Sequence, residues 1–192
     1  MSMLHEEEKP WWKGAFNYFL EVVKVFLIAL AIVVPVRYFL VQPFYVKGSS
    51  MVPNFEDHEY LIIDELSFRF RAPERGEVVV FRYPKNPRQY YIKRIVGLPG
   101  ETVSIEDGLV YLIDDTGNKQ QLDEAEYLDE ELKTQGYNYS QVTLQDNEYY
   151  VMGDNRNASY DSRQFGPLEE DFIVGRAMVR VLPLDRIDYF ER

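Results

Sequence analysis

The apolar positions along the chain fall into two regimes. Residues 16–41, FNYFLEVVKVFLIALAIVVPVRYFLV, are apolar almost throughout, with Glu21, Lys24 and Arg37 as interruptions. The longest uncharged run, Val25–Val36, has twelve residues. That is short for a bilayer span by itself, so the apolar flanks must complete it. The three charges lie towards the ends, where long side chains reach the interface. Trp11 and Trp12 sit upstream, as interfacial aromatics do, and Pro35 near the end is tolerated in such a helix. The pattern predicts one transmembrane helix over 16–36, after a tail of residues 1–15. Ala29-Leu30-Ala31 has the form of a processing site, but it lies inside the apolar run with no polar region before it, which argues against a cleaved leader. Lys9 and Lys13 precede the helix while Arg37 and Lys47 follow it, so basic residues leave its orientation open.

Beyond the helix the period becomes two. Phe44–Val46 is short and extended, and EYLIID (59–64), EVVVFRY (77–83) and QYYIKRIVG (89–97) are β-rich. Residues 102–105 and 109–113 flank Glu106-Asp107-Gly108 as a hairpin. Glu148–Met152 runs into Gly153, and 172–182, FIVGRAMVRVL, reads as a last strand or pair of strands, with a bulge expected at Gly175. Many short strands with turn signals predict a mainly β domain over 37–192, a barrel or sandwich. A short helix is expected within 123–135.

Composition adds exclusions. Of 192 residues 46% are hydrophobic and 15% aromatic, enough for a real core. The formal net charge of −11 argues against nucleic acid as a partner. Residues 114–133 alone carry eight acids and two lysines, so net −6. They read as a solvated surface insertion over about 114–147, with no assigned role. The absence of cysteine removes disulfides and thiolate chemistry, no ligand motif calls for a metal, and no cofactor is expected.

The candidate chemistry starts at VKGSSMVPNF, residues 46–55. A serine nucleophile needs a base. His5 lies in an acidic tail, and His58, in EDHEY, reads as a surface loop residue. Lysine is the other option, provided burial pushes its ordinary pKa of ~10.4 down by several units. In YYIKRIVG, alternation puts Tyr91, Lys93 and Ile95 on one face and Ile92, Arg94 and Val96 on the other. Both faces are largely apolar, so Lys93 sits in a strand that looks buried. A strand lysine more commonly snorkels, a Gly-Ser-Ser turn is more commonly only a turn, and GDNRNASYDSR (153–163) reads alone as a polar loop with an Asp161–Arg163 ion pair.

Together and in order behind one apolar helix, these blocks resemble the type I signal peptidases, membrane-bound serine proteases. VKGSSMVPNF is similar to the segment around the nucleophile, RGEVVVFRYP (75–84) to the next block, YYIKRIVGLPGE (90–101) to the block with the general-base lysine, and GDNRNASYDSR to the most distinctive block.

The resemblance implies Ser50 as nucleophile, not Ser49, and Lys93 as general base. It implies Ser159 as the serine that hydrogen-bonds the lysine, Asp161 and Arg163 as a pair holding their loop, and Asp154 and Arg94 as further supports. Some members carry a serine, whose hydroxyl helps form the oxyanion hole, where this chain has Gly48. The expected donors here are the Ser50 N–H and a backbone or water donor near Gly48. Phe44, Val46, Met51, Phe55, Tyr91 and Ile92 match positions of shallow pockets for small side chains. The implied protein is a monomeric membrane enzyme, its N-terminus cytoplasmic and its β catalytic domain outside the inner membrane. Its implied partners are preprotein signal peptides and the lipid bilayer. A catalytically degenerate membrane-tethered β binding module is the alternative.

Overall fold

The computed structural model describes residues 11–39, 41–129 and 131–190. Residues 1–10 of the expected tail, with His5 and Lys9, lie outside the described residues. The chain divides into two units at residue 40.

The first unit is one helix, α1 (Trp11–Phe39). Within it Phe16–Val34 is long and apolar enough to cross a membrane, and none of that span is buried. At ~1.5 Å per residue its 19 residues reach ~28 Å, close to a hydrocarbon core. The helix continues three residues past the expected end, with Pro35 inside it.

The second unit is β. Its strands are β1 (Val41–Tyr45), β2 (Tyr60–Asp64), β3 (Val78–Tyr83), β4 (Asn86–Gly97), β5 (Thr102–Glu106), β6 (Leu109–Ile113), β7 (Lys119–Gln121), β8 (Gln141–Thr143), β9 (Glu148–Met152), β10 (Leu168–Glu169), β11 (Ile173–Leu182) and β12 (Asp188–Tyr189). The larger sheet runs β1-β2-β11-β3-β4-β9-β10, with β12 paired to β11, and the smaller one runs β7-β6-β5-β8. All pairings are antiparallel.

The continuous apolar run of β3 is explained by burial on both faces. Val78 and Val80 join a cluster with Met51, Phe55, Leu61 and Ile63, whereas Val79 and Phe81 join one with Ile95, Tyr149 and Val151. A third cluster, Val96, Val103, Val110, Leu144, Tyr150 and Met152, ties the small sheet to the large one. Gly97 permits that approach, because a Cβ there would lie 2.5 Å from Val103 Cγ2. The hairpin between β5 and β6 turns through Asp107 and Gly108, both at positive φ, as a two-residue hairpin turn requires. At Gly175 the β11 register skips a residue against β3, and the expected bulge is present.

The acidic insertion departs from expectation. Strands β7 and β8 fall inside 114–147 and complete the small sheet. Residues 123–135 form turns, with no helix among the described residues. The reason is local competition: the Asp123 and Asp129 carboxylates accept the N–H groups of Ala125 and Glu131, which favours turns over helix propagation.

Candidate active site

The Ser50 turn follows β1 and is anchored from below. Met51 and Phe55 are each 1% exposed, and Phe55 N–H donates to Met51 O at 2.9 Å. With those side chains packed downward, Ser50 is left half-buried at the cavity edge. The turn is also tied laterally. Asn155 N–H donates to Ser50 O, and Asn155 Nδ2 to Ser49 O, both at 3.0 Å.

Lys93 comes from the centre of β4, directly across from Val79 of β3. It is 4% exposed. Its Nζ lies 2.6 Å from Ser50 Oγ and donates to Ile92 O at 2.8 Å. No carboxylate contacts it among the described residues. Burial therefore dominates and pushes the ammonium down to about 8; Asp161 and Asp154 pull the other way, and Arg163 adds to the lowering. A lysine in this state gives up its proton near physiological pH, so the pair can activate a hydroxyl.

Around the pair runs a buried ion network. Arg163 forks onto Asp161 through Nε and NH2, both at 2.8 Å, with both side chains fully buried. Burial raises the Asp161 carboxyl, but the Arg163 fork and the Gly153 N–H outweigh it and hold it below its ordinary value. Arg94 forks onto Asp154 at 2.9 and 2.7 Å. Asn54 Nδ2 donates to the same Asp154 carboxylate at 2.8 Å. The expected Asp161–Arg163 pair thus joins a larger assembly with Arg94 and Asp154.

Two expected contacts are not made. Ser159 is buried, yet no hydrogen bond joins its Oγ to Lys93: the lysine bonds the Ile92 carbonyl instead, and the Ser159 hydroxyl lies near enough to Asp161 to help lower that carboxyl. Ser159 lies against Gly153, where a Cβ would come within 2.2 Å of its Oγ, so the loop is closed on glycine there. The Gly48 N–H is also committed, donating to Asp57 Oδ1 at 2.9 Å. Gly48 sits at φ +97°, a conformation that side chains resist. The Ser50 N–H makes no hydrogen bond among the described residues and is the donor left over.

The cavity beside the pair has a volume of about 320 Å³. Phe44, Val46, Tyr91 and Ile92 line it. Met51 and Phe55 do not; they are core residues beneath the serine turn, with the Phe55 ring tilted against that of Phe190, centroids 4.8 Å apart. Sequence reasoning missed Leu61, Val80, Tyr90 and Tyr160, which also form the wall. Tyr160 is fixed by its hydroxyl contact to Tyr83, 3.1 Å away. Strand alternation in EYLIID and EVVVFRY was the available signal for Leu61 and Val80. None existed for Tyr160, since only the fold turns its loop towards β3.

Residues 19–182 match the family model described as signal peptidase, peptidase S26. The chain is 39% identical over 176 residues to a probable signal peptidase I-2 of Synechocystis sp., covering 89% of this chain and 77% of that one. It is 33% identical over 177 residues to a signal peptidase IB of Staphylococcus aureus, covering 84% and 88% respectively. A crystal structure of a signal peptidase I from Enterococcus faecalis V583 aligns at 29% identity and a TM-score of 0.44, over 56% of this chain and 98% of its own. A serine and a lysine in contact beside a small apolar cavity, in a chain matched along most of its length, lead to one conclusion: the chain belongs to the signal peptidase family, peptidase S26.

Proposed function

We propose that this peptidase is anchored by α1 and removes signal peptides from exported preproteins, using Ser50 as nucleophile and Lys93 as general base. The observation that carries the reading is the 2.6 Å contact between Ser50 Oγ and a lysine Nζ buried without a carboxylate partner. Neutral Lys93 takes the Ser50 proton as Oγ attacks the scissile carbonyl, and the Ser50 N–H stabilises the oxyanion. The protonated lysine then delivers that proton to the leaving amine, giving an acyl-enzyme. Water, deprotonated by the same lysine, releases the acid and restores Ser50. A closing substrate removes further water from Lys93 and favours its neutral form.

The preference for small side chains, of the Ala-x-Ala type, follows from the family the chain belongs to. The cavity of about 320 Å³, walled by aromatic and branched residues, is where those side chains enter. Two open backbone edges face it. Among the described residues β1 pairs with β2 alone, and the Tyr90–Ile92 part of β4 with β3 alone, since β9 joins only from Arg94 onward. An extended substrate adds as a strand along such edges. With α1 in the membrane, the N-terminus is cytoplasmic, the β domain is extracytoplasmic and the enzyme acts as a monomer at the inner membrane.

The test is cleavage of a preprotein carrying an Ala-x-Ala site by the full chain in liposomes. Ser50→Ala and Lys93→Ala are expected to lower cleavage by about 10²-fold or more, and Ser49→Ala to retain it. Cleavage near the wild-type rate in either of the first two overturns the dyad, and loss confined to Ser49→Ala moves the nucleophile.

A further inference from the structure

The acidic insertion has no part in the chemistry above, yet it is not a free surface loop. Glu124 accepts Arg156 NH1 at 3.1 Å and pairs with NH2 of the same guanidinium. Thr134 Oγ1 accepts the same NH1 at 2.7 Å, and Tyr127 OH donates to Glu124 Oε1 at 3.0 Å. Arg156 is 1% exposed. Its Nε donates to Gly153 O at 3.1 Å, which fixes the start of the 153–163 loop. Asn155, between Gly153 and Arg156, is the residue that holds the Ser49 and Ser50 carbonyls.

The same segment grips the site at two more points. Tyr127 O accepts Asn54 Nδ2 at 2.8 Å, four residues past Ser50, and the Tyr127 ring lies 4.2 Å from the Arg94 guanidinium carbon. Gln135 O accepts Arg163 NH1 at 3.2 Å. Every one of these contacts lands on a residue that itself borders the serine turn, the lysine strand or the loop between them.

We propose that Glu124 is a positioning residue for the Ser50–Lys93 pair, acting through Arg156 and Asn155; the inference rests on the dyad reading. A buried guanidinium has to be held by acceptors, and Glu124 supplies two of the oxygens that hold this one. Without them Arg156 loses its fixed position and the Gly153 carbonyl its donor. Asn155 then no longer holds the serine turn in register with Lys93. Most of the cavity wall, including Phe44, Val46 and Ile92, comes from β1 and its exit and from β4 and is not touched by the clamp, whereas Ala158 and Tyr160 lie in the loop it fixes. The effect therefore falls chiefly on the chemical step, with the smaller part on substrate binding. Misplacing a catalytic group by ~1 Å from a distance is enough to cost about 10²-fold in rate.

The experiment measures kcat and KM of the full chain in detergent on an Ala-x-Ala substrate, per folded molecule, well below the melting temperature of each variant. Glu124→Ala is expected to lower kcat by about 10- to 100-fold with KM within about twofold. Glu124→Gln should recover part of the loss, because its amide oxygen still accepts from Arg156. Asp115→Asn, which removes a charge from the same segment at an exposed site, should change neither constant. If Glu124→Ala proves too unstable, Thr134→Val removes a single Arg156 acceptor, and a severalfold fall in kcat is expected. Unchanged kcat in the folded variants, or a loss carried by KM alone, overturns the clamp. Ser50→Ala in the same assay reports on the dyad separately: activity retained there fails the dyad reading, whatever Glu124 does.

Discussion

Lys93 and Arg94 are neighbours on β4, and both are buried cations, yet the structure treats them in opposite ways. Arg94 meets Asp154 through a two-point fork. Arg163 and Arg156 beyond it have carboxylates of their own. Lys93 has a serine hydroxyl and a carbonyl. Asp154 and Asp161 lie near enough to raise the lysine electrostatically, but their oxygens are taken by the arginines. Burial alone does not make a base. Burial without a counter-ion does, and the arginine network withholds the counter-ions while fixing the loop around the lysine.

Replacing the lysine by an apolar side chain of similar length breaks this contrast most directly. Lys93→Met should lower kcat/KM by about 10²- to 10⁴-fold, the range for loss of a general base. It should also stabilise the protein. A group lowered from 10.5 to about 8 on folding carries a penalty of about 3 kcal/mol below pH 8, where both states hold the proton. Between pH 8 and 10.5 the unfolded chain binds the proton and the folded one does not, so wild-type stability rises with pH. The stability gain of Lys93→Met, followed by urea unfolding, should therefore be largest at pH 7 and fade above pH 10.5. A variant no more stable than wild type at pH 7 would mean that the lysine is not strained by its site.

On the arginine side the sign reverses. Asp161→Asn leaves a fully buried guanidinium facing a neutral amide and takes an acceptor from the Gly153 N–H. The expected loss is about 3–5 kcal/mol of unfolding free energy. The wild-type contribution is present above the ordinary carboxylate pKa and is lost as pH falls through the lowered native value, because Asp161 is held down in the fold. Thermal melts at pH 7 and at pH 3 check both statements; equal losses at the two pH values would contradict the second.

The same contrast explains what the sequence made legible. The serine, the lysine and the strands that carry them lie in local patterns. Alternation in VVVF and YYIKRIV marked strands apolar on both faces, and a lysine within one is anomalous on its own terms. Asp161–Arg163 is two residues apart and readable as a pair. The rest of the network spans long separations. Glu124 and Arg156 are 32 residues apart, and Asn54 and Asp154 are 100 apart, so no local pattern joins them. Met51 and Phe55 were misplaced as pocket walls for a related reason: proximity to Ser50 in sequence does not say which side of the turn faces the cavity. The acidic run reads as surface because most of its charges are solvated, which hides Glu124, a carboxylate among the described residues that is aimed inward.

The pH dependence of the wild-type enzyme gives the smallest effect and the sharpest sign. With Lys93 near 8, only about a tenth of the free enzyme holds the neutral amine at pH 7. kcat/KM should rise about tenfold from pH 6 to 7, about fivefold from 7 to 8, and level off beyond about 9. In Asp161→Asn the rising limb should move to lower pH. The carboxylate that most strongly raises Lys93 is gone, and Arg163, which lowers it, has lost its neutraliser. Lower stability would then accompany a better-deprotonated base, a combination that general loosening of the site cannot produce, since water entering a loosened site would return the lysine towards its ordinary value. A limb that moves to higher pH in this variant would show that solvent, rather than the Asp161–Arg163 pair, governs the lysine.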